Sequence, residues 1–271
     1  MGSAALEALL KRDRYVVLAA LLVLTGLAWS YLLWLAGNMT MPSSGMTMPE
    51  MAMGPAMTRA AVPLAMDILL TFLMWAVMMV GMMTPSVAPV ILVYARMGRQ
   101  SALNGKPFAA TGWFAVGYFL AWMVFSALAA SAQVALRSAA LLTPMLDRAT
   151  PVLGGVILVV AGVYQWSRLK TACLIQCREP LQFIQRLGGF KRDAAGSLAV
   201  GFRHGLYCIG CCWALMLLLF AGGVMNTLWV AGLAVLVLME KFPAQGNVLT
   251  RATGAVLMGG GLLLIFRGAT G

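Results

Sequence analysis

The chain has 271 residues, 62% hydrophobic and 10% charged, with a net charge of +11. That balance excludes an ordinary soluble domain, which is nearer half apolar and a quarter charged. The apolar residues fall in runs of about 20, enough for a helix to cross a ~30 Å hydrocarbon layer, and they alternate too little for barrel strands.

The first run, roughly Tyr15 to Ala36, follows Lys11-Arg12-Asp13-Arg14. It is longer than a signal core, and Leu35-Ala36-Gly37-Asn38 is a poor cleavage site, so a retained helix is expected. Next come Met39, Met41, Met46, Met48, Met51, Met53 and Met57, in a polar stretch rich in Pro and Gly. Core packing does not explain methionine there. Met-x-Met spacing on an extended chain lets thioethers fold round a soft ion, and thioether favours copper(I). Residues 1–62 thus read as a transmembrane helix with a methionine-rich outer loop for metal capture, and residues 63–271 as a six-span metal-binding membrane domain.

The second run extends from Pro63 to about Pro85. Asp67 at its outer end has no obvious partner, which suggests an ion path. Met78 with Met82, and Met79 with Met83, are i,i+4 pairs that each present two thioethers to one helix face. Pro85 and Pro89 are expected to break or kink the helix here. The third and fourth runs are about Phe108–Ala130 and Thr150–Trp166. A long basic inner loop follows, with Cys173 and Cys177 four apart. Lys170 and Arg178 flank this pair and would favour thiolate; a metal exit site and ordinary thiols are both open.

The fifth run, Leu198–Ala221, holds His204, Cys208, Cys211, Cys212 and Met216. At 100° per residue, His204, Cys208 and Cys211 share one face, and Cys212 lies one residue further round. Thiolate and thioether select copper(I), while thiolate also suits zinc. His204 and Cys211 are ~10 Å apart along the axis, so one ion cannot take every ligand from a straight helix. Cys208 with Cys211 or Cys212 is the chelating pair, and Met78, Met79, Met82 and Met83 are expected to face it. The sixth run, Val224–Met239, ends on Glu240-Lys241, which reads as a local ion pair or part of an ion path. The seventh is Ala252–Phe266.

The expected fold is therefore an all-α, polytopic bundle of about seven spans in a lipid bilayer. Lys11, Arg12, Arg14, Arg96, Arg99, Lys106, the basic residues from Arg168 to Arg192, Lys241 and Arg251 all fall on one side. Lysine and arginine favour the cytoplasmic face, which puts the N-terminus inside and the C-terminus outside. The same placement makes nucleic acid an unsuitable partner. A single histidine excludes sites that need several imidazoles.

Met74-Trp75 through Met82-Met83-x-Pro85, Tyr164-Gln165, Lys170, Cys173, Cys177-Arg178-x-Pro180, Gly205, Cys208-x-x-Cys211-Cys212-Trp213, Met216, Gly223-x-Met225-Asn226 and Glu240-Lys241 carry a resemblance. They resemble a bacterial family of predicted metal-binding integral membrane proteins of unknown function, over roughly Asp67 to Arg267. The resemblance implies a multi-pass protein of the bacterial inner membrane that binds metal. Together the residues point to a copper(I)-handling protein, with zinc as the other metal, acting in transport, chaperoning or loading. A copper enzyme or a periplasmic metal carrier is the expected partner. The alternative is a membrane redox enzyme, a copper oxygenase or a thiol oxidoreductase. An oxygen-activating copper site wants more imidazole or carboxylate than this chain offers, and no Walker loop is present.

Overall fold

The computed structural model describes residues 3–40, 63–103, 111–143, 148–242 and 246–270. Over these residues the chain is almost wholly helical, in the order α1 (Ser3–Thr40), α2 (Leu64–Leu103), α3 (Thr111–Ser138), a two-residue hairpin pair β1 (Leu142–Thr143) and β2 (Arg148–Ala149), α4 (Pro151–Gln165), α5 (Arg168–Arg178), α6 (Pro180–Arg186), α7 (Ala194–Gly222), α8 (Thr227–Glu240) and α9 (Gly246–Thr270). The methionines from Met41 to Met57 lie outside the described residues.

Among the described residues, five helices are long and apolar enough to cross a membrane: α1, α2, α3, α7 and α9. The other two expected spans come out differently. The fourth is short and bends by 66° into α5, a geometry shared by a broken span and a re-entrant loop. The sixth begins only at Thr227, because Gly223 turns the chain at φ 95° and Asn226 caps the new helix at Trp229 N. That leaves α8 with 14 residues, about 21 Å of rise.

The expected break at Pro85 and Pro89 does not occur; α2 runs through both prolines. Each proline leaves one carbonyl in the preceding turn without its N–H partner. Hydroxyls supply local bonds at this point: Thr84 Oγ1 donates to Val80 O at 2.6 Å and Ser86 Oγ to Met83 O at 2.9 Å. Packed neighbours and Ser/Thr side chains are what let proline persist in a buried apolar helix.

Glycines set the helix packing around α7. A Cβ on Gly117 of α3 would overlap the Leu198 carbonyl, and one on Gly201 of α7 would overlap that of Phe114. The two helices therefore touch backbone to backbone and run parallel. The chain must reverse between them, and α4 does this, with Gly154 near Ala221 and Tyr164 at Gly210. Helix α4 in turn pairs closely with α9, where Gly155 and Gly162 meet Gly261 and Gly254. Helix α7 is thereby enclosed: 61% of its most apolar stretch is buried, against 11% for α1. Its cysteines and histidine sit in the centre of the bundle.

Candidate metal centre

The segment expected to be an inner loop is folded. Ser167 caps α5 by accepting from Lys170 N, and Pro180 opens α6. These two helices run back along α7, so Cys173 comes to lie against Gly210 while Phe183 packs on His204 and Tyr207. Cys177 is carried into the core of the bundle, 9% exposed, with its sulfur 4.0 Å from that of Cys211.

Cys177, Cys208 and Cys211 form one group, with their sulfurs all within 4.8 Å of one another. Sulfurs bound at ~2.3 Å to one ion are themselves about 4 Å apart, so the spacing fits a single soft ion with little movement. All five cysteines are free thiols. Cys212 is fully buried but lies outside this group. Its thiol and that of Cys211 both donate to the Cys208 carbonyl, each at 3.0 Å. Cys173 is half-buried and also lies outside it.

Two side chains not expected at the thiols approach Cys208, and Ser86 holds one of them. Tyr118 Oη is 3.2 Å from its sulfur. Lys241 Nζ is 3.1 Å from the same sulfur and donates to Ser86 Oγ at 2.8 Å. Lys241 is thus not the local partner of Glu240. Glu240 is instead held by Lys170 at 2.6 Å and Gln165 at 2.9 Å, all three buried. Arg178 donates to the Glu240 carbonyl at 2.6 Å. The cations expected to favour thiolate at Cys173 and Cys177 are therefore engaged with Glu240, and Lys241 stands at the thiols in their place. Asp67 also has a partner, Arg137 at 3.1 Å, which ties the start of α2 to the end of α3.

His204 lies one turn before Cys208, buried among Phe114, Tyr118 and Phe183, and its Nδ1 has no hydrogen-bond partner. Met216 is fully buried one turn beyond Cys212. Met78, Met79, Met82 and Met83 are all buried. Met83 is linked to the thiols through Ser86: its sulfur is 3.9 Å from Ser86 Oγ, which also meets Lys241. Met78 instead lines a small cavity toward α1. Of these neighbours, Lys241 lay in the Glu240-Lys241 motif and Ser86 directly follows the motif that ends at Pro85, but neither was expected at the thiols; Tyr118 carried no sequence signal beyond its place in an apolar run.

The arrangement can hold a soft cation, and it offers neither an open carboxylate-imidazole set nor an exposed nucleophile. No curated protein and no solved structure matches the chain. A family model does match, over residues 72–264, which takes in every cysteine, His204 and Lys241 but not the methionines of residues 39–57. The protein belongs to the PpoB2 family, described as a copper chaperone.

Proposed function

We propose that this chain is a membrane-embedded copper(I) chaperone whose ion is held by Cys177, Cys208 and Cys211. The observation that carries the reading is the buried three-sulfur group. Soft thiolates select copper(I), whereas structural zinc takes four ligands. Burial of the group argues against thiol exchange, which needs an accessible sulfur. The ion is cargo, delivered to a copper enzyme or a periplasmic carrier.

The membrane reading rests on the five long apolar helices and on the direction of the others. With α4–α5 and α8 each counted as a pass, there are seven, and the basic residues put the N-terminus in the cytoplasm of a bacterium and the C-terminus outside. The methionines of residues 39–57 then face outward and capture the ion. Residues 1–62 precede the part of the chain that the family model matches, and residues 63–271 form the six-span metal-binding domain.

Protein purified without oxygen and loaded with equal copper(I) and zinc tests the reading. Wild type should retain copper, and the C177S/C208S/C211S variant should lose the thiol-bound ion while remaining folded. Full retention in that variant, or preference for zinc, overturns it. Substrate- or oxygen-dependent turnover by the copper-loaded protein would favour an enzyme instead.

A further inference from the structure

A second group of soft ligands lies outside the thiol centre. A cavity of about 20 Å³ sits between α1, α2 and the α7–α8 link, with Trp29, Leu32, Met74, Met78, Met225 and Val230 in its wall. Three of these are methionines, from two different parts of the chain. Met74 and Met78 are i,i+4 on α2 and so present thioethers to the same side. Met225 comes from the link, two residues after the positive-φ Gly223 and one before the capping Asn226. The backbone on both sides of Met225 is thus set by local geometry.

The void has room for about one water molecule, but a buried water needs two to four polar partners. Thr227 also lines the cavity, but the surface that faces it is apolar and supplies none. One small guest that such a wall can ligate is an ion bound by thioether sulfur, and thioether favours copper(I). We infer that Met74, Met78 and Met225 form a second, thioether copper(I) site. This inference rests on the copper reading of the thiol centre.

Its position gives it a role. Leu35 and Ala36, at the end of α1, also line the cavity. The methionine-rich segment begins three residues later, at Met39. On the other side, Met74, Met78 and Met82 occupy successive turns of α2, and one further turn reaches Ser86, the partner of Lys241 at the thiols. Met78, the nearer of the two α2 ligands, is ~12 Å along the helix from Ser86 and Met74 ~18 Å, so the two ions occupy distinct sites.

Three neutral thioethers leave the ion's positive charge uncompensated, which is costly in an apolar setting. Thiolates neutralise it. The thioether site is therefore the weaker of the two and passes its ion inward by ligand exchange, with copper remaining in the +1 state throughout.

The test compares three full-length proteins in detergent, titrated with copper(I) against a competing chelator. The M74L/M78L/M225L variant should bind one ion fewer than wild type and keep the thiol-bound ion; leucine conserves volume here. The C177S/C208S/C211S variant should keep the thioether ion, seen by X-ray absorption as a sulfur shell. Unchanged stoichiometry in the methionine variant, with the thiol ion present, overturns the thioether site and leaves the thiol reading standing. Wild type that binds no copper overturns both. The single change M225L guards against misfolding: it should weaken only the weaker ion, by about tenfold or more, and equal affinity in that variant also overturns the site.

Discussion

The ammonium of Lys241 lies 3.1 Å from the sulfur of Cys208, although 33 residues separate them. Copper(I) bound by three thiolates carries two excess negative charges, and a buried cation beside them offsets part of that charge. Lys241→Met should therefore weaken copper(I) binding, by about 10- to 100-fold, the range for losing a partner just outside the ligands. Lys241→Arg should recover most of the loss. Chelator competition measures both, and undiminished affinity in Lys241→Met would mean that the lysine serves packing alone.

Glu240 and Lys170 form the most enclosed ion pair among the described residues, with side chains 3% and 1% exposed. Removing one partner strands a buried charge. Glu240→Gln should lower stability by about 3–5 kcal/mol. The double change E240Q/K170M should be less damaging than the single one. Thermal unfolding in detergent distinguishes these cases; a double variant worse than Glu240→Gln would contradict the pairing argument.

Gly201 sets the distance between α7 and α3. Gly201→Ala puts a methyl into the Phe114 carbonyl and must push the helices apart, drawing Tyr118 away from Cys208. The expected outcome is a large loss of folded, monodisperse protein on gel filtration. Gly26→Ala has no atom within 4 Å of the added carbon and should be neutral.

Seven passes with an inner N-terminus require an outer C-terminus. A reporter active only outside the cytoplasm, fused after Gly271, should be active. An inactive fusion at normal expression would point to an even number of crossings.

Much of this bundle was legible in the sequence because apolar runs of membrane length admit few other structures. The three cysteines of α7 were legible too, since helical spacing alone puts Cys208 and Cys211 on one face. Spacing could not choose between Cys211 and Cys212 as the partner of Cys208. That choice depends on Cys177 arriving from α5, a contact across 34 residues. The basic residues around Cys173 and Cys177 suggested a solvated loop; in fact Lys170 and Arg178 fold inward because Glu240 waits at the end of α8. Glu240 and Lys241 are adjacent in sequence, yet successive residues at a helix end point in different directions, so one reaches Lys170 and the other Cys208. Asp67 lacked a partner only locally, since Arg137 lies 70 residues away. Pro85 and Pro89 do not break α2, because a breaker rule from isolated helices ignores the neighbours that keep the helix continuous.

The identity of the third sulfur ligand is the most direct test of the account. X-ray absorption on copper(I)-loaded protein should show a shell of sulfur at about 2.3 Å, unchanged in Cys212→Ser. In Cys177→Ser the shell should lose a sulfur, and affinity should fall by about tenfold or more. A Cys177→Ser protein with an intact sulfur shell and wild-type affinity, alongside a Cys212→Ser protein that no longer binds, would contradict it.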